Sequence, residues 1–320
     1  MKFDAIIGNP PYQEKIKGKN EMSAKPIYQN FIIRAIESNC KYINMIIPTK
    51  WFAGNNTKDF REIVTKDNHI KDMFVFPKSK DIFKEVQIFG GICYFLYDRD
   101  YNGDCTFREN KELISKKPVL YQGLVEYDEM IVNLKEKTKT DKTLADFVCR
   151  SNFGKNDFGT NIKNFSLVKT EKYNTKCYTN EKISEGKMYV YIEGDRVNKS
   201  LDLFNGDKML LLNSGFSERK IFNGKMFNAG KEECFTHSFI SLYDEEFKTE
   251  NVDSLISYIR CKLPRLLIGS SVSTTRFSKK DFRQAPLVPL DRIWDDKKLY
   301  EYFELTENEI NYIENKIDSY

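Results

Sequence analysis

The tightest constraint on this chain lies in its first twelve residues, where a short apolar run meets a pair of prolines. Phe3-Asp4-Ala5-Ile6-Ile7-Gly8 reads as a short buried strand. Pro10 and Pro11 cannot donate to a ladder, so the strand must stop before them. Residues 26–39 then carry Tyr28, Phe31, Ile32, Ala35 and Ile36 at helical spacing, with Pro26 near the first turn and Asn39 as C-cap. Tyr42 to Ile47 reads as a second buried strand, ending at Pro48. Thr57–Lys66 predicts a helix with Phe60, Ile63 and Val64 on one face. Further strands are expected at Ile70–Phe76, Gly91–Asp98 and Cys105–Glu109. Strands and helices in alternation are the pattern of a parallel sheet covered by helices, and this α/β part ends near residue 110.

Beyond it the pattern changes. Residues 126–139 predict a charged connecting helix. From about 146 to 290 the sequence is turn-rich, aromatic and polar, with short strands such as Met188–Glu193 and Met209–Asn213, the pattern of an α+β domain. Thr306 with Glu309 forms a capping box, and Leu305 with Ile310 a hydrophobic staple, which places a last helix at 307–317. The expected division is therefore 1–110, a helical connector at 111–145, a second domain at 146–290, and a helical tail at 291–320.

Composition narrows the function classes. The 320 residues are 40% hydrophobic and 31% charged, as in soluble cytoplasmic proteins, and no apolar run is long enough to span a membrane or serve as a secretory signal. Seven cysteines stand singly, which argues against a zinc site or a disulfide framework and for reduced thiols. With only two histidines, His69 and His237, a metal centre or a histidine-based triad has little to build from. Residues 1–290 hold 47 basic and 38 acidic side chains, whereas 291–320 hold 4 and 9. A mildly basic body with an acidic tail is compatible with a polyanionic partner.

The residues best suited to chemistry are Asn9-Pro10-Pro11-Tyr12. Loops at strand ends of parallel α/β sheets are where ligands bind. The prolines lack N–H groups and leave nearby carbonyls free to accept. Asn9 adds an amide oxygen and Tyr12 a flat aromatic face, so the loop suits an exocyclic amino group on a planar ring. The alternative is a rigid turn in which Asn9 only caps backbone.

Phe3 to Tyr12 resembles the catalytic motif of N6-adenine DNA methyltransferases, especially type II restriction–modification enzymes with a C-terminal target-recognition domain. Ile46-Ile47-Pro48-Thr49-Lys50-Trp51 resembles the family's next strand and loop. Residues 82–88 followed by 90–96 resemble the hairpin region that closes its catalytic domain. Ser273-Thr274-Thr275-Arg276-Phe277, Pro286-Leu287-Val288-Pro289-Leu290 and Trp294-Asp295-Asp296 resemble its recognition domain. The resemblance implies a partial Rossmann-like methyltransferase sheet, later strands only, followed by an α+β target-recognition domain.

It also implies base flipping, which extrudes an adenine from the duplex at an unstacking cost of about a few kcal/mol. The Asn9 side chain and the Pro10 carbonyl would accept from the N6 amino group, and Tyr12 would stack on the base. Phe83 stands where a second aromatic is expected, with a core role equally open; for Lys50 and Trp51 a structural role is expected. S-adenosylmethionine is the implied methyl donor. In the family its glycine-rich loop precedes the catalytic motif, which begins here at residue 9, so the chain is expected to be a fragment or a split subunit, inactive alone. Expected partners are double-stranded DNA, an upstream donor-binding half and a restriction endonuclease.

Arg196, Arg219, Lys220, Arg276, Lys279, Lys280 and Arg283 fall in polar loops, where such residues can pair with phosphates or read guanine. Ordinary solvated surface is the alternative for each, and His237 is expected to be structural. Two other classes stay open: a non-catalytic DNA-recognition subunit, and a methyltransferase acting on RNA or protein glutamine. The long stretch from 111 to 290 counts against the last.

Overall fold

The computed structural model describes residues 3–14, 25–85, 88–150, 152–154, 158–213, 216–217, 220–222, 225–272 and 276–320. The chain divides into two compact units, Met1–Asn133 and Leu134–Tyr320.

The first unit is built on strand β1 (Ala5–Gly8), helix α1 (Tyr28–Glu37), β2 (Tyr42–Pro48), α2 (Lys58–Thr65), β3 (Ile70–Phe76), β4 (Ile92–Asp98), β5 (Cys105–Glu109) and β6 (Glu112–Lys117). Each expected strand and helix of this region is present. Helix α1 stops because Asn39 turns left-handed, with φ 56°, a conformation that asparagine tolerates well. Pro26, expected near its first turn, lies instead in a short ladder in which Gln13–Glu14 pairs with Lys25–Pro26.

The sheet order is β1-β2-β4-β3-β5-β6. It is mixed, which corrects the expectation of a parallel sheet. β1 pairs with β2 in parallel, and β3 with β5, but β4 is antiparallel to both β2 and β3. The chain leaving β3 turns back through residues 77–91 and threads between β2 and β3, so no crossover helix reverses its direction. The sheet also runs past residue 110, because Asn110 and Lys111 take positive φ and fold the chain back as β6.

A second correction concerns β1, which is an exposed edge rather than a buried strand. Ile7 is 80% and Phe3 52% exposed. Among the described residues β1 has one ladder partner, so one side of its backbone and most of its side chains lack cover. The core sits one strand further in, where Ile43 and Ile47 of β2, Met73 and Val75 of β3 and Phe95 of β4 pack with Ile32, Phe60 and Val64 of the helices. Ile63, expected on the buried face of α2, is exposed, and Arg61 is buried in its place.

In the second unit, β7 (Val148–Arg150), β8 (Thr175–Tyr178), β9 (Tyr189–Ile192), β10 (Lys208–Leu212), β11 (Met226–Ala229), β12 (Cys234–Phe235) and β13 (Phe239–Leu242) form two small sheets. Their orders are β7-β13-β10-β11 and β9-β8-β12. Phe153, Cys177, Val190, Leu210, Phe235 and Phe239 share one core. Helices α3 (Thr249–Arg260), α4 (Lys262–Gly269), α5 (Asp296–Tyr302) and α6 (Glu307–Lys316) follow. The capping box at Thr306 and Glu309 is formed, with both reciprocal hydrogen bonds present. No helix among the described residues is long and apolar enough to cross a membrane.

Candidate active site

The parallel register of β1 on β2, Ala5 to Tyr42 through Gly8 to Met45, sends both strands to the same end of the sheet. Pro48 and Phe76, the last residues of β2 and β3, both lie opposite Ile92, the first residue of β4. Three loops therefore meet at one sheet end: residues 9–12 after β1, 49–54 after β2, and 77–91 between β3 and β4.

The last two are fastened together. Thr49 donates through Oγ1 to the carbonyls of Gly90 and Gly91, and its N–H donates to Gly91 O at 3.1 Å. Gly91 has φ +84°, and a Cβ there would lie 2.1 Å from the Phe76 carbonyl oxygen, so only glycine fits this crossing. Gly90 and Gly91 thus form a turn into β4. Ser79 braces the other side of that loop, its carbonyl accepting from Phe83 N–H and its hydroxyl from Ile88 N–H, both at 2.8 Å.

On this platform Asn9 is exposed, and its amide makes no hydrogen bond to a described residue. Pro10 is buried and Pro11 exposed. Tyr12 is half-buried, its ring packed against the core and its carbonyl accepting from Ile27 N–H at 3.2 Å. Its hydroxyl is sealed from water without a hydrogen-bond partner among the described residues. Burial first, and then the nearby Cys93 thiol, push the Tyr12 hydroxyl up to about 12, so it is neutral at ordinary pH. Phe83 is half-buried in the loop between β3 and β4, Lys50 is exposed, and Trp51 lies wholly inside, its indole N–H donating to Cys93 Sγ at 3.4 Å. An exposed amide on a rigid, proline-fixed loop can accept from an amino group brought to the sheet end.

The basic residues singled out from the sequence lie in the second unit and differ in what they do. Arg196 donates to the carbonyls of Lys163 and Asn164, at 3.0 and 2.7 Å, and so holds a loop. Lys220, Arg276, Lys279 and Arg283 are exposed, and Lys280 is half-buried. Arg276 shares a cleft with His237, whose side chain is exposed rather than packed inside. Arg219, Ser273, Thr274 and Thr275 lie outside the described residues, as do Val86 and Gln87 between β3 and β4. Sequence reasoning passed over Asn213 and Ser238 in that same cleft. Neither belongs to a motif, and only strand pairing brings them together.

Residues 1–83 match the family model described as Eco57I restriction-modification methylase, a stretch that contains all of β1, the Asn9 loop, β2 and β3. The chain is thus similar, through its first unit, to adenine-specific methylases of restriction–modification systems. An uncharacterized adenine-specific methylase of Mycoplasma pneumoniae (strain ATCC 29342 / M129 / Subtype 1) is 38% identical over 142 residues, 41% of this chain and 34% of that protein. The type II methyltransferase M.HindII of Haemophilus influenzae (strain ATCC 51907 / DSM 11121 / KW20 / Rd) is 23% identical over 281 residues, 80% of this chain and 50% of that one. This chain therefore spans a third to a half of the length of these curated relatives. Among solved structures, the ATP-dependent type ISP restriction-modification enzyme LlaBIII bound to DNA aligns over 95% of this chain and 29% of its own, at 10% identity and a TM-score of 0.44.

Proposed function

We propose that this chain carries the catalytic loop and the target-recognition unit of a DNA methyltransferase that modifies adenine N6 in a restriction–modification system. The observation that carries this reading is the Asn9 amide, exposed and without a hydrogen bond to any described residue at the carboxyl end of a parallel strand, within the stretch matched by the methylase family. In this reading the partial Rossmann-like sheet is the mixed sheet of the first unit, and residues 146–290 read the target, with a helical tail at 291–320.

The chemistry needs placed acceptors rather than a titrating base. An adenine flipped out of the duplex would offer two N–H donors from N6. The Asn9 oxygen and the Pro10 carbonyl would accept them, drawing the nitrogen lone pair out of ring conjugation so that it can attack an electrophilic methyl. Tyr12 would offer a ring face to the base, and Phe83 would close the pocket from the neighbouring loop. S-adenosylmethionine would supply the methyl group. Among the described residues no glycine-rich turn leads from a strand into an α-helix, the arrangement that would hold that donor.

The test is Asn9→Ala in an assembly competent for methyl transfer. Losing one placed acceptor should slow single-turnover transfer to adenine N6 about a hundredfold to a thousandfold, roughly 3–4 kcal/mol. Because the Asn9 side chain bonds to no described residue, the melting temperature should not change. A folded variant that transfers at the parental rate would refute the acceptor role.

A further inference from the structure

Strands β10 and β13 of the second unit run antiparallel, with Leu212 opposite Phe239. One step beyond this ladder the Asn213 N–H donates to the Ser238 carbonyl at 2.8 Å. Opposed residues on neighbouring antiparallel strands share a face, so the Asn213 amide and the Ser238 hydroxyl lie side by side. Both line a cleft of about 480 Å³ whose walls include Asn180, Met188, His237 and Arg276.

Ser238 is only 7% exposed, yet its Oγ has no hydrogen-bond partner among the described residues. The same is true of Asn213 Oδ1. Buried polar atoms are almost always paired, because leaving one unpaired opposes folding. Both residues line one cleft, while the two unpaired atoms themselves are closed to solvent, so a ligand that brings their partners must first turn these side chains into the cleft. Asn180 is different: its amide donates to Thr160 O at 2.8 Å and so builds the wall. Lys225 and Glu181, 3.6 Å apart, also line the cleft as a pair of opposite sign, so the lining does not simply collect anions.

We propose that this cleft reads an adenine edge of the target duplex, with Asn213 setting the base preference and Ser238 contacting the same edge. An asparagine amide offers one acceptor and one donor in the spacing of adenine N6 and N7, and a hydroxyl adapts to either. The inference rests on the adenine-methyltransferase reading above, and goes beyond it by naming which residues of the second unit carry sequence information.

The chain is equilibrated at low salt with a randomised duplex DNA pool, bound duplexes are sequenced, and melting temperatures are taken for each variant. The parent should enrich a motif with a fixed adenine. Asn213→Ala should lower discrimination at that position about tenfold to a hundredfold. Total retained DNA should change little, since phosphate contacts carry most of the affinity. Asn213→Asp keeps the acceptor and loses the donor, and should move the preference from adenine towards cytosine. Ser238→Ala should weaken the same position and leave the melting temperature unchanged or higher, because it removes an unpaired buried hydroxyl.

If both Asn213 variants keep the parental motif at every position, the cleft assignment is overturned and the methyltransferase reading stands. A marked fall in melting temperature for Ser238→Ala also counts against the assignment, by giving the hydroxyl a task in the fold. A parent that enriches no duplex motif, or enriches only single-stranded RNA, overturns it as well. The Asn9→Ala rate then decides the methyltransferase reading separately.

Discussion

The Tyr12 ring packs against the core, and its hydroxyl ends in the interior without a partner among the described residues. A residue with only a packing role would be served as well by phenylalanine, which carries no orphan hydroxyl. Tyr12→Phe should therefore keep the melting temperature or raise it, and should retain most methyl transfer if the ring face is what the base uses. Tyr12→Ala should weaken capture of the flipped base by about 1–3 kcal/mol, the scale of base–aromatic stacking. Binding of a duplex carrying an abasic site opposite the target would separate the two roles. If Tyr12→Ala loses stability while its affinity for flipped adenine is unchanged, the ring belongs to the core alone. The motif itself was legible, because two prolines after an apolar strand leave few readings open. The burial of its tyrosine was not, since the core its ring packs against is gathered from residues between Tyr28 and Val125.

At the level of elements, α2 shows what periodicity can and cannot give. Its spacing correctly put Phe60 and Val64 inside, but it could not foresee a buried arginine. Arg61 Nη1 donates at 2.8 Å to the carbonyls of Trp51 and Gly54 and to Thr57 Oγ1, and Nε donates at 3.0 Å to Gly123 O. Two of these acceptors lie in the loop 49–54 after β2 and a third, Thr57, just before α2, so one guanidinium fixes that loop against the helix that follows it. Gly54 is held tightly there, since a Cβ would meet Lys50 O at 2.7 Å. Arg61→Met keeps the apolar stem and abandons the acceptors, and should cost at least about 2 kcal/mol, since each unpaired buried acceptor carries roughly 1–3 kcal/mol. Urea denaturation would show it as a lower midpoint at an unchanged slope, and a midpoint equal to the parent's would mean that water replaces the arginine at no cost. The mixed sheet was illegible for a related reason. Apolar runs mark β3 and β4 as strands, but nothing in either run says that the later one inserts beside β2.

For the whole molecule, a net charge of only +4 would have to serve the proposed polyanionic partner. The excess lies in residues 1–290, with 47 basic against 38 acidic side chains, while the last thirty residues are acidic. Affinity for duplex DNA should therefore be detectable at low salt and fall steeply between about 50 and 200 mM, as counterion release requires. Lys279 and Lys280 precede the 3-10 turn at Asp281–Gln284 and Arg283 lies within it, with Lys279 and Arg283 exposed. Each one that neutralises a phosphate contributes about −0.9 to the slope of log affinity against log salt. Replacing all three by alanine should make the slope shallower by up to about 2.7 and weaken binding evenly across sequences, because phosphate contacts position the protein without reading bases. Asn213→Ala should do the opposite, changing sequence preference at an unaltered slope. Fluorescence anisotropy over a salt series, on the enriched duplex and on a scrambled one, measures both quantities in one experiment. If the triple variant keeps the parental slope, the backbone contacts lie elsewhere on the chain. If it changes preference and slope together, then positioning and reading share one set of residues, and the division of labour between the basic turn and the Asn213 cleft does not hold.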